Sequence, residues 1–166
     1  MNRCAGLLAV LLLGACGEDP AGGGLDFSLA LAPAAAEDTA LLQVALLKGI
    51  AAHPCEALVD QCLGPNPSVP REHYVRLYDA DGVERRAIRI PLGAEAPIGQ
   101  ELVFRAEVGT DYRVVVEAIS TDAVPRLVGT SCTPLPEGVR QSGTRLPANP
   151  LVIYSPYIAC DPRIDP

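Results

Sequence analysis

The chain has 166 residues and a formal charge of −7, with 20 acidic against 13 basic side chains. That balance argues against nucleic acid and against direct adsorption to anionic lipid, because both reward basic patches. Glycine (15) and proline (16) stay below the ~25–30% share at which low-complexity disorder becomes the default, so many turns in a folded domain are expected.

Residues 1–3 form a short polar start carrying Arg3, and residues 5–13 are apolar apart from Gly6. This is the layout of a secretory leader. A spanning helix needs ~20 apolar residues to cross ~30 Å of hydrocarbon, and this run gives way to Gly17-Glu18-Asp19-Pro20 well short of that. Its end, Leu13-Gly14-Ala15-Cys16, has an aliphatic residue three before a cysteine, then two small residues that leave the backbone open to a peptidase.

Those four residues resemble the lipobox of bacterial lipoproteins, with the two small residues in the reverse of the commonest alanine-glycine order. The resemblance covers residues 1–16. It implies that the signal peptide 1–15 is removed and that Cys16 becomes the first residue, its thiol and amino group acylated. At ~0.8 kcal/mol per buried methylene, two or three chains on Cys16 give durable attachment where one does not. Gly17 stands where retained inner-membrane lipoproteins of the best-known type carry aspartate, so the resemblance implies the outer membrane.

Residues 16–24, CGEDPAGGG, carry nothing apolar larger than alanine and read as a flexible tether. Residues 25–166 are then about one domain of ordinary size. Cys4 leaves with the leader, and Cys55, Cys62, Cys132 and Cys160 form an even set that reads as two disulfides in an exported domain. Three connectivities are open to four cysteines; proximity in sequence favours Cys55 with Cys62 and Cys132 with Cys160.

In residues 25–31, Leu25, Phe27, Leu29 and Leu31 alternate with Asp26, Ser28 and Ala30, the pattern of a half-buried strand. Residues 33–48 fit either a helix from Pro33 to a stop at Gly49, or a loop followed by a doubly buried strand over 41–47; a sheet begun at Leu25 needs a neighbour, which favours the strand. Residues 50–71 are irregular, with a turn or two of helix between Cys55 and Cys62.

From Tyr74 the period-two signal is strongest. Val75 and Leu77 face one way, Tyr74, Arg76 and Tyr78 the other, and Asp79-Ala80-Asp81-Gly82 turns the chain into a partner strand over 83–92. A calcium loop there would need a carboxylate where Ile90 stands. Residues 102–108 and 112–119 alternate again across the turn Gly109-Thr110-Asp111, and the second face of 112–119 is only half polar. Residues 126–132 make a further strand. Residues 133–149 are a long excursion, broken by glycine and proline, that a Cys132–Cys160 bond would hold; a loop of that length is the candidate recognition surface.

This run of short strands resembles immunoglobulin-like and transthyretin-like sandwiches, and Gly109-Thr110-Asp111-Tyr112 resembles their tyrosine corner. The resemblance implies an all-β antiparallel sandwich of about seven or eight strands, and no particular function. Arg85, Arg89, Arg105 and Arg113 are expected to pair with Glu107 and Glu117 on outward faces.

His53, Cys55, Cys62 and His73 are four potential metal ligands, but their spacing matches no compact zinc pattern and export favours disulfides, so no metal or other cofactor is expected. No G-x-S-x-G elbow and no phosphate-cradling glycine loop occurs, and the absence of tryptophan removes the usual sugar-stacking platform. The sequence therefore reads as a non-catalytic envelope protein, membrane-held through lipid on Cys16, whose sandwich displays loops to an envelope protein partner. The alternative is a small-ligand or glycan-binding module using Tyr74, Arg76 and Tyr78, with a hydrolase third.

Overall fold

The structure, a computed structural model, describes residues 22–27, 37–49, 53–64, 69–92, 102–141, 143–146 and 149–164. The leader, Cys16 and the first part of the tether lie outside the described residues. Among the described residues ten strands are formed: β1 Gly22–Phe27, β2 Thr39–Lys48, β3 Leu77–Tyr78, β4 Glu84–Arg85, β5 Ala87–Pro91, β6 Leu102–Glu107, β7 Tyr112–Ser120, β8 Leu127–Leu135, β9 Thr144–Leu146 and β10 Val152–Ile158. They make two five-stranded sheets, ordered β4-β3-β6-β1-β9 and β10-β8-β7-β2-β5. The fold is an all-β sandwich, antiparallel except where β9 runs parallel to β1, with more strands than the seven or eight expected.

The alternating positions read from the sequence build the interior. Leu42, Val44 and Leu46 of β2 and Tyr112, Val114, Val116 and Ala118 of β7 pack with Val75, just before β3, and with Leu77, Phe104 and Ala106 of the opposite sheet. At ~1.5–3 kcal/mol for each large apolar side chain removed from water, this layer is the main stabilising term. The Gly109 turn is tied to it by Tyr112, whose hydroxyl donates to the Glu107 carbonyl at 3.2 Å, the bond expected of a tyrosine corner. Gly109 is required there because a Cβ would overlap that hydroxyl.

The second sheet is buried on both faces. Ala45 and Leu47 of β2, Val115 of β7 and Cys132 of β8 point away from the first sheet into a second apolar cluster with Leu58, Leu63, Val69, Tyr74 and Ile164. The covering layer is the irregular segment 53–74, with one helical turn at Cys55–Leu58 and a 3-10 turn at Arg71–His73, together with the C-terminal tail. This third layer explains why the outer face of β7 is only half polar. Strand β2 is the doubly buried strand favoured over a helix for residues 41–47.

The disulfides pin this cover and correct the expected pairing. Cys55 bonds Cys132 and Cys62 bonds Cys160, at sequence separations of 77 and 98. Cys132 stands beside Val115 on the outer face of β8, directly beneath the helical turn, so its partner comes from the layer above rather than from nearby sequence. In the chain-entropy treatment, loops of this length contribute ~4.5 kcal/mol each, more than short-range pairing would.

Three further expectations shift. Gly22, Gly23 and Gly24, read as the end of the tether, form the start of β1 opposite Glu107, Ala106 and Arg105; the Arg140 carbonyl and the Val139 side chain lie so close to Gly23 that no side chain fits. The hairpin from Tyr74 is cut short, since β4 pairs with β3 but the chain then crosses to the other sheet, where β5 pairs with β2. The excursion after β8 is held by backbone bonds instead of a Cys132–Cys160 staple: Val139 N–H donates to the Gly109 carbonyl at 2.8 Å and Asp111 N–H to that of Pro136 at 3.1 Å.

Candidate functional site

Between the second sheet and its cover runs a row of polar side chains set by strand register. Gln43 of β2 stands opposite Arg89 of β5 on one side and Glu117 of β7 on the other, and Glu117 stands opposite Thr130 of β8. All but Arg89 are buried. The Gln43 amide donates to Glu117 Oε2 and to the Pro162 carbonyl, each at 2.8 Å, and the Leu63 N–H donates to Glu117 Oε1 at 2.8 Å. Gln43 Oε1 accepts from the Ile164 N–H at 3.0 Å, and Arg89 bonds the Ile164 carbonyl.

These bonds tie both halves of the cover, the loop at Leu63 and the tail at 162–164, to the centre of the sheet. Burial pushes the Glu117 carboxyl up to about 8 against the two donors that hold it down. Tyr74, whose hydroxyl donates to the Leu63 carbonyl at 3.2 Å, is raised to about 12 by burial and then by Glu117. Thr130 Oγ1 is buried without a hydrogen-bond partner among the described residues.

At the edge of the cover the two histidines meet. His53 Nε2 lies 2.9 Å from His73 Nδ1, the rings perpendicular with centroids 4.5 Å apart. His53 is only 6% exposed, and burial, followed by the neighbouring His73, holds its pKa below the ordinary histidine value. His73 Nδ1 also lies 3.4 Å from the Lys48 carbonyl. The sequence singled out both histidines, but not that they touch. Cys55 and Cys62, grouped with them in the sequence, are taken up by the two disulfides, and no cluster of three or more metal-ligating side chains occurs among the described residues.

The predicted ligand face does not assemble as a face. Tyr74 is 7% exposed and belongs to the apolar cluster under the cover. Alternation alone put it in solvent because the third layer is invisible to a period-two pattern. Arg76 is exposed and pairs with Glu107 at 3.2 Å, and Tyr78 is half-buried. Glu117 is likewise not an outward ion-pair partner, and Arg85 pairs with Asp79 at 3.1 Å instead.

An open cleft of about 590 Å³ lies between the Gly109 turn and the excursion, lined by Val108, Gly109, Thr110, Glu137, Val139, Arg140 and Gln141. Glu137 and Arg140 pair with each other on its rim. Within the buried row no hydrogen bond joins the Thr130 hydroxyl to the Glu117 carboxyl opposite it. No family, curated protein or solved structure matches this chain.

Proposed function

We propose that the chain is a non-catalytic lipoprotein of the cell envelope, held to the outer membrane through lipid on Cys16, whose capped sandwich displays its loops to a protein partner. The observation that carries the reading is the pair of long-range disulfides, Cys55–Cys132 and Cys62–Cys160, since such bonds form and persist in oxidising compartments. The lipobox-like Leu13-Gly14-Ala15-Cys16 supplies the attachment.

The arrangement of polar groups agrees with display. Gln43 and Glu117 are turned inward and spent on holding the cover, while the cleft between the Gly109 turn and residues 137–141 is a concave surface open to a partner. Expression with an alkyne-bearing palmitate analogue tests the anchor. Wild type takes up label and sediments with outer membrane, and Cys16→Ser does neither; an unlabelled, soluble wild type would contradict the proposal. Photo-crosslinking from Gln141 in intact cells is expected to trap a specific envelope protein.

A further inference from the structure

We propose that His53 and His73, with the Lys48 carbonyl beside them, form a binding site for one divalent transition-metal cation of the copper(II) or nickel(II) class. The donors come from three segments that the fold has already brought together. His53 sits two residues before Cys55, which is bonded to β8. His73 closes a 3-10 turn whose next residue, Tyr74, bridges to Leu47. Lys48 ends β2, and Gly49 follows at φ +84, a conformation that turns the chain and that side chains rarely adopt.

Two imidazole nitrogens at ~2.0–2.1 Å from one cation lie about 2.9 Å apart when they subtend a right angle and about 3.3 Å apart at the tetrahedral angle. Without a metal the two rings hydrogen-bond each other at 2.9 Å, a separation that a cation in square-planar or octahedral coordination can take over with little movement of either ring. The Lys48 carbonyl, 3.4 Å from His73 Nδ1, is within reach as an oxygen donor.

Both cysteines near the pair are in disulfides, so the donor set is nitrogen and oxygen without thiolate, which suits copper(II) or nickel(II) over copper(I). No proton need leave on binding: the N–H shared between the two facing nitrogens moves to the far nitrogen of its own ring. His73 is half-buried, leaving a side for water to complete the coordination.

The test uses the full chain with both disulfides formed and with Cys4→Ser and Cys16→Ser, so that no free thiol competes. Copper(II) is added at pH 7.5 and followed by continuous-wave and pulsed electron paramagnetic resonance. The first equivalent is expected to give a tetragonal signal with modulation from two imidazoles. Affinity should fall at least about tenfold in His53→Ala and in His73→Ala, as loss of a direct ligand requires. A wild-type spectrum with one imidazole or none, or unchanged affinity in either variant, overturns the proposal. Should a variant fail to fold, the imidazole count in wild type decides alone.

Discussion

Gln43 and Glu117 face each other across β2 and β7, and the amide of the first donates to the carboxyl of the second at 2.8 Å beneath a disulfide-bound cover. Their burial is the cost of fastening an irregular layer to a sheet. Once Leu63, Pro162 and Ile164 present backbone groups to the apolar face of β2 and β7, those groups need partners, and a glutamine and a glutamate supply them.

The Glu117 carboxyl makes the fold sensitive to alkali. Its pKa rises from 4.5 to about 8 on folding, so the native state holds a proton that the unfolded chain has lost across that window. This contribution is fully present below pH 4.5 and is lost as pH rises through about 8. At ~1.4 kcal/mol per unit it is on the order of several kcal/mol. Buried His53 works in the opposite sense, its lowered pKa favouring the fold as pH rises. Urea unfolding of wild type and Glu117→Gln from pH 5 to 8.5 separates the two, because only the difference reports Glu117. The stability of Glu117→Gln relative to wild type is expected to climb with pH, and a constant difference would contradict the assignment.

Gln43→Leu leaves the Ile164 N–H, the Pro162 carbonyl and one Glu117 oxygen without their partner. Unsatisfied buried groups cost ~1–3 kcal/mol each, with partial relief as the tail moves, so a loss of about 2–4 kcal/mol is expected. Amide exchange at Ile164 and Leu63 should accelerate more than exchange at Val116 in the sandwich core.

Tyr112→Phe removes the hydroxyl bond to the Glu107 carbonyl and is expected to lower stability by ~1 kcal/mol. Gly109→Ala should cost more, because the new methyl displaces the Tyr112 ring end from its seat in the core. Combining the two should cost less than the sum, since phenylalanine makes room for the alanine. Thermal unfolding of the three variants measures this, and strict additivity would place the strain elsewhere.

What the sequence made legible follows from period. Val75 with Leu77, Phe104 with Ala106, and Tyr112 with Val114 and Val116 alternate as strands do, and each pair faces the interior. The apolar run over 41–47, interrupted only by Gln43, reads as a strand buried on both sides, preferred to a helix because a sheet begun at Leu25 needs a neighbour. Period could not show what lay above the second face. Alternation therefore places Tyr74 in solvent and proximity in sequence pairs Cys132 with Cys160, whereas Tyr74 is buried under the cover and the neighbour of Cys132 in space is Cys55. The polar row is hidden for the same reason: Gln43, Glu117 and Thr130 sit 74 and 13 positions apart, and only register aligns them. One signal did point to a third layer, the apolar Val115 and Ile119 on a face that a two-layer sandwich would leave wet.

The disulfide bonds hold the cover in place, so losing either should loosen the layer without dissolving the sandwich. Cys62→Ser with Cys160→Ser frees the tail and is expected to speed exchange at Ile164 and lower the melting temperature, on the ~4.5 kcal/mol chain-entropy scale before native strain is subtracted.

Peptide mapping of the native, unreduced protein tests the covered-sheet architecture most directly. Cleavage after Glu56 separates Cys55 from Cys62, and tryptic cleavage at Arg126, Arg140, Arg145 and Arg163 isolates the peptides of Cys132 and Cys160. The architecture predicts that the Cys55 fragment is joined to residues 127–137 and the Cys62 fragment to residues 146–163. A fragment in which Cys55 and Cys62 are bonded to each other would contradict it.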